Sequence, residues 1–172
     1  MTVLWIVLAA LAGAVVLVLV IGALLPAEHR VSDSVHVPAS AERVFQLLVD
    51  VGRAPRWRTD LSAVDVLGEV DGRLRFRETG KLGVILFEIV ERTPPTRVVV
   101  RVADDELAFG GTWTWVLTPD PAGGTRVAVT EDGVVKNAAF RFMARFLFGY
   151  KKTIDEVLGA LAAHFEPTRP EA

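Results

Sequence analysis

The chain has 172 residues, 51% of them hydrophobic, and a formal net charge of −2. That charge balance argues against a general nucleic-acid surface. With no cysteine anywhere, disulfides and thiol nucleophiles are excluded.

The first charged side chain is Glu28, and before it the composition is almost wholly apolar. From Val3 to Leu25 nearly every residue is Leu, Val, Ile, Ala or Trp, interrupted by Gly13 and Gly22. As a helix this run extends roughly 35 Å, enough to cross a hydrocarbon core about 30 Å thick. Residues 1–27 therefore read as a single-pass transmembrane anchor. The competing reading is a removed signal peptide. No Lys or Arg precedes the run, which is longer than a signal core, and Leu24-Leu25-Pro26-Ala27 offers no good small-x-small cleavage site. The uncleaved anchor is favoured. Ala9 and Gly13 have the spacing that lets two anchors pack closely, although this alone assigns no oligomeric state. His29, Arg30 and Arg43 follow the run, so the positive-inside tendency favours a cell-membrane protein with its domain on the cytoplasmic side.

After a short linker, 28–30, residues 31–166 have the size of one domain, and 167–172 read as a disordered tail. Val31–Val37 alternates as a strand does. Pro38 closes it, and Ser40 is placed to cap a helix over Ala41–Val49 whose apolar face carries Val44, Phe45, Leu47 and Leu48. A second short helical turn is expected around Pro55-Arg56-Trp57. Strands follow at Val64–Leu67, Arg73–Glu78, Val84–Glu91, Arg97–Val102, Gly111–Leu117 and Thr125–Glu131. Asp71-Gly72 supplies the positive φ of a tight hairpin. A long closing helix is expected over about Asn137–Phe165. Its apolar stripe would include Phe142, Phe146, Tyr150, Ile154, Leu158, Leu161 and Phe165.

One strand, two short helices, a run of antiparallel strands and a long terminal helix make an α+β pattern. The stretch from Val35-His36-Val37-Pro38 through Phe45-Gln46-Leu47-Leu48 to Asp50, followed by Arg56-Trp57, resembles the opening of the START-like helix-grip (SRPBCC) superfamily. The branch it resembles most is polyketide cyclase/dehydrase and lipid transport. Trp113-Thr114-Trp115-Val116-Leu117-Thr118-Pro119 with Gly123-Gly124-Thr125-Arg126-Val127, and the amphipathic last helix, extend the likeness over the soluble part. The resemblance implies a curved antiparallel sheet wrapped around the C-terminal helix, with an apolar cavity between them. Its walls would come from Leu74, Phe76, Glu78, Val98, Val100, Trp113, Trp115, Phe142, Phe146 and Tyr150. The competing reading is that these side chains simply fill a core, since aromatics dominate ordinary cores.

The chemistry-bearing residues are few. Three histidines lack ligand spacing and no carboxylate cluster accompanies them, so no metal site is expected and no cofactor is implied. Glycine-rich phosphate loops are missing as well. Glu78 sits on the apolar face of its strand, where burial would raise its pKa and suit it to proton transfer. Alternatively it reaches water at the strand end. Glu131 has the same ambiguity, and Arg58 with Asp60 reads either as a mouth-lining pair or as a surface ion pair. Glu78 and Tyr150 are the catalytic candidates for a cyclase or dehydratase.

Between Gly133 and Ile154, Lys136, Arg141, Arg145, Lys151 and Lys152 are interleaved with aromatics and no acid intervenes. Cations beside rings suit a bilayer interface. Phe140, Arg141, Arg145, Phe148, Lys151 and Lys152 are accordingly the expected membrane contacts, the alternative being a solvated basic face. The leading expectation is a membrane-tethered domain binding a lipid or other hydrophobic small molecule. A cyclase/dehydratase and a filled interaction scaffold are the alternatives.

Overall fold

The computed structural model describes residues 1–81 and 83–166, except for the side chain of Phe148. The tail expected to be disordered lies outside the described residues. Helix α1 covers Thr2–Leu24 and is long and apolar enough to cross a membrane, with a mean hydropathy of 3.0. Seven strands follow: β1 (Glu28–Val37), β2 (Leu61–Val70), β3 (Arg73–Gly80), β4 (Gly83–Thr93), β5 (Arg97–Val102), β6 (Phe109–Pro119) and β7 (Thr125–Val135). They form one antiparallel sheet in the order β1-β7-β6-β5-β4-β3-β2. Helix α2 (Ala41–Val49) and a 3₁₀ segment (Val51–Arg56) fill the connection from β1 to β2. Helices α3 (Ala138–Met143) and α4 (Lys152–Phe165) close the chain. This is the expected helix-grip arrangement.

Local chemistry explains the boundaries. Ser40 accepts a hydrogen bond from the Arg43 backbone N–H, and α2 starts there. Asp71 and Gly72 take φ of 51° and 75°, the left-handed pair that turns β2 tightly into β3. The alternation in β3 places Phe76 inward, almost fully buried, with Arg75 and Arg77 on the other face. Along β6 the same alternation buries Trp115 and Leu117. These residues meet Val44 and Phe45 of α2 and Ile154, Val157, Leu158 and Leu161 of α4 in the core.

Two expectations are corrected. Residues 28–30 are not linker: Glu28, His29 and Arg30 pair with Val134, Gly133 and Asp132, so the ladder with β7 begins four residues after α1 ends at Leu24. Nor is the closing helix continuous. After α3 the chain makes a π turn over Ala144–Phe148, in which the Gly149 N–H donates to the Ala144 carbonyl at 2.9 Å. Gly149 then takes φ 73°, ψ 146°, a conformation that suits glycine, and α4 starts at Lys152. The wider turn and the glycine break the phase of the stripe, so its N-terminal half does not lie over its C-terminal half.

Candidate functional site

The inward face of the sheet, α2 with its 3₁₀ extension, and the first turns of α4 enclose a cavity of about 600 Å³. Its apolar wall includes Leu47, Leu48, Phe76, Phe87, Val98, Val100, Trp113 and Trp115. Exposed lining residues mark the mouth: Lys81 and Gly83 at the β3–β4 turn, and Lys152, Thr153 and Glu156 at the start of α4. The interior is therefore not plugged by the protein's own side chains, and the filled-core alternative does not describe it.

Of the ten expected wall residues, Phe76, Glu78, Val98, Val100, Trp113 and Trp115 line the cavity. Leu74 packs against the core instead. Phe142 and Phe146 pack against each other at a tilt of 49°, centroids 4.9 Å apart, and Phe146 is exposed. Both belong to the segment before the helix break, which explains their absence from the wall. Tyr150 is also off the wall. Its ring stacks on His29 at 4.0 Å.

One polar group on the wall is a three-residue ion cluster. Arg58 grips Glu78 through Nη1, which lies 3.0 Å from Oε1 and 3.1 Å from Oε2. Its Nε and Nη2 donate to the two Asp60 oxygens at 3.2 and 2.6 Å. The three side chains are only 13–27% exposed. Burial pushes the Glu78 carboxyl above its ordinary range, with the Arg58 charge opposing. For Asp60 burial works in the same direction, but the Arg58 hydrogen bond and charge prevail and hold it low. Both ambiguities of the sequence are thus decided by tertiary pairing: Glu78 is buried and paired, and Arg58–Asp60 sits on the cavity wall.

Glu131 forms the second polar group. It lines the cavity, burial raises its pKa, and its Oε1 lies 3.4 Å from His29 Nε2. Trp57 supplies a third, since its buried indole N–H has no acceptor among the described residues. Sequence reasoning missed His29 and Trp57 as participants. For His29 the available signal was the β1–β7 register, which sets it opposite Gly133, whose missing Cβ leaves room for the imidazole. No group of three or more metal-ligating side chains exists among the described residues.

A family model described as polyketide cyclase / dehydrase and lipid transport matches residues 28–166. The chain belongs to this family. Among curated proteins none matches it significantly. Solved structures similar to this family member include a START superfamily protein from Mycobacterium smegmatis, 20% identical with a TM-score of 0.65, covering 80% of this chain and 97% of that one. The ZhuI aromatase/cyclase from Streptomyces sp. R1128 is 16% identical, with a TM-score of 0.67 and coverage of 80% and 93%. The di-domain aromatase/cyclase BexL of the BE-7585A biosynthetic pathway is 19% identical with a TM-score of 0.65. The match covers 87% of this chain and 53% of BexL. At these identities the similarity establishes the helix-grip fold.

Proposed function

We propose that this family member is a membrane-tethered protein that binds a lipid or other hydrophobic small molecule between its sheet and C-terminal helix. The observation that carries the reading is the open cavity of about 600 Å³ with a largely apolar wall, within the range of small-molecule sites. Apolar burial would supply most of the affinity, at about 25 cal/mol per Å². The unpartnered Trp57 N–H and the Glu131 carboxyl would orient a polar end of the guest. Helix α1 serves as the anchor, with the domain on the cytoplasmic side because His29 and Arg30 follow the apolar run.

Native mass spectrometry of the full chain released from detergent tests the binding. A co-purified apolar adduct that diminishes in Val100→Phe, which narrows the cavity, supports the reading; a bare chain in both proteins removes it.

A second reading, a cyclase or dehydratase, is favoured by one observation: Glu78 carries a raised pKa on the cavity wall. Tyr150, the other catalytic candidate, is not on that wall. The two readings differ in what leaves the cavity, a guest returned unaltered or one that has lost water.

A further inference from the structure

Helix α1 has a single buried residue, Gly22. The backbone of α3 crosses it there, so closely that a Cβ on Gly22 would overlap the Ala138 carbonyl. One turn later Arg141 reaches back from α3 and donates through Nη1 to the Leu25 carbonyl at 2.9 Å, and through Nη2 to Lys136 at 3.1 Å. The end of α1 is thereby capped by a side chain of the domain, satisfying a carbonyl that helix termini leave free. Helix α3 thus begins at the level of the last turn of α1.

The surface this segment presents is apolar. Phe140, Phe146 and Leu147 are 48%, 57% and 67% exposed. Arg145, exposed among them, has no carboxylate partner among the described residues. The other basic residues of the region are engaged. Arg141 caps α1, Lys151 pairs with Asp33 and Asp155, and Lys152 lies at the cavity mouth beside Glu156. Of the residues expected to touch a membrane, Phe140 and Arg145 are exposed with no polar partner among the described residues, and Phe146 and Leu147 join them. The side chain of Phe148 lies outside the described residues.

Resting on the tether reading above, we infer that α3 and the π turn form a bilayer-interface element clamped to the anchor. Phe140, Phe146 and Leu147 enter the head-group boundary and Arg145 meets anionic lipid. The occupant follows from continuity: a surface fixed at the last turn of a membrane-spanning helix sits where that helix leaves the hydrocarbon. The same segment runs through Gly149 into Lys152 and Thr153 at the cavity mouth, which brings that mouth close to the bilayer surface.

Because the chain lacks cysteine, single nitroxide labels can be placed at will. The full chain, carrying Leu11→Cys, Leu147→Cys or Ala122→Cys, is reconstituted into phosphatidylcholine–phosphatidylglycerol vesicles. Accessibility to oxygen and to a water-soluble nickel chelate is then measured. The expected result is a several-fold preference for oxygen at Leu11 and Leu147 and the reverse at Ala122, in the β6–β7 turn. The Leu147 preference should collapse in Gly22→Leu, which breaks the clamp. A water-like Leu147 beside a lipid-like Leu11 overturns the interface element while leaving the tether intact. A Leu147 shielded from both reagents points to a protein partner and also overturns it. A water-like Leu11 defeats the tether itself.

Discussion

Glu131 separates His29 from the cavity: its Oε1 lies 3.4 Å from the His29 Nε2, and the same residue forms part of the cavity wall. The imidazole is fixed from its other sides by the Tyr150 ring, 4.0 Å away, and by the bare backbone of Gly133. A residue five positions after the last of α1 is thus in contact with the cavity wall.

That packing predicts an unusual cost for a small change. A Cβ at Gly133 would overlap the His29 ring, which Tyr150 prevents from moving aside. Gly133→Ala should cost about 2 kcal/mol, the range of core overpacking. In a His29→Ala background the same substitution should cost little. Thermal unfolding of the four proteins in detergent measures the coupling, and additive losses would refute it.

Arg58 is the only cation bound to two partly buried carboxylates on the wall, among the described residues. Arg58→Ala should destabilise by roughly 3 kcal/mol at neutral pH, since it leaves Glu78 buried and unpaired beside Asp60. Because the Glu78 pKa is raised in the folded state, that carboxyl takes up a proton more readily folded than unfolded. Its unfavourable contribution therefore grows as pH rises from the unfolded to the folded pKa and vanishes below both. Losing the opposing Arg58 charge raises the Glu78 carboxyl further, so the Arg58→Ala penalty should shrink as pH falls through the variant's higher folded pKa towards the native one, which unfolding curves at several pH values will show.

On the opposite face of the sheet, Glu88 is fully buried beneath Arg73, Arg75 and Arg101, at 3.2, 3.3 and 3.0 Å. The Arg101 hydrogen bond is the largest cause holding its carboxyl below the ordinary range, against the effect of burial. A depressed pKa gives stability that is present above the unfolded value of about 4.3 and lost as pH falls through the folded one. Glu88→Gln should cost about 1 kcal/mol at pH 7, because three half-exposed guanidiniums lose their shared anion and water screens the charge left behind. The difference from the native chain should close in strong acid. A constant difference across the pH range would rule out the ionic origin.

Three of the four tryptophans, Trp57, Trp113 and Trp115, line the cavity, and the fourth, Trp5, lies in α1. In a Trp5→Phe chain, a brominated fatty acid entering the cavity should quench most of the remaining fluorescence. Adding Val100→Phe, which narrows the cavity, should reduce that quenching. Equal quenching in both chains would place the probe elsewhere on the surface.

Local patterns made the strands and turns legible. Val31–Val37, Arg97–Val102 and the Asp71-Gly72 turn are read from alternation and from backbone preference, which act over a few residues. Helix α2 was legible for the same reason, Ser40 being its cap. The final helix was misread because its apolar stripe runs unbroken across Gly149 in sequence. Side-chain spacing alone does not reveal a π turn.

By itself the sequence determined an apolar span, an α+β order of elements and the family's fold, because periodicity, capping and hydrophobicity are properties of neighbouring residues. Only the tertiary structure decided that Glu78 is paired, that His29 meets Glu131 and that Arg141 caps α1. Those partners lie 20, 102 and 116 residues apart. Strand register and helix docking bring such residues together, and they leave a cavity of about 600 Å³ between the sheet and α4.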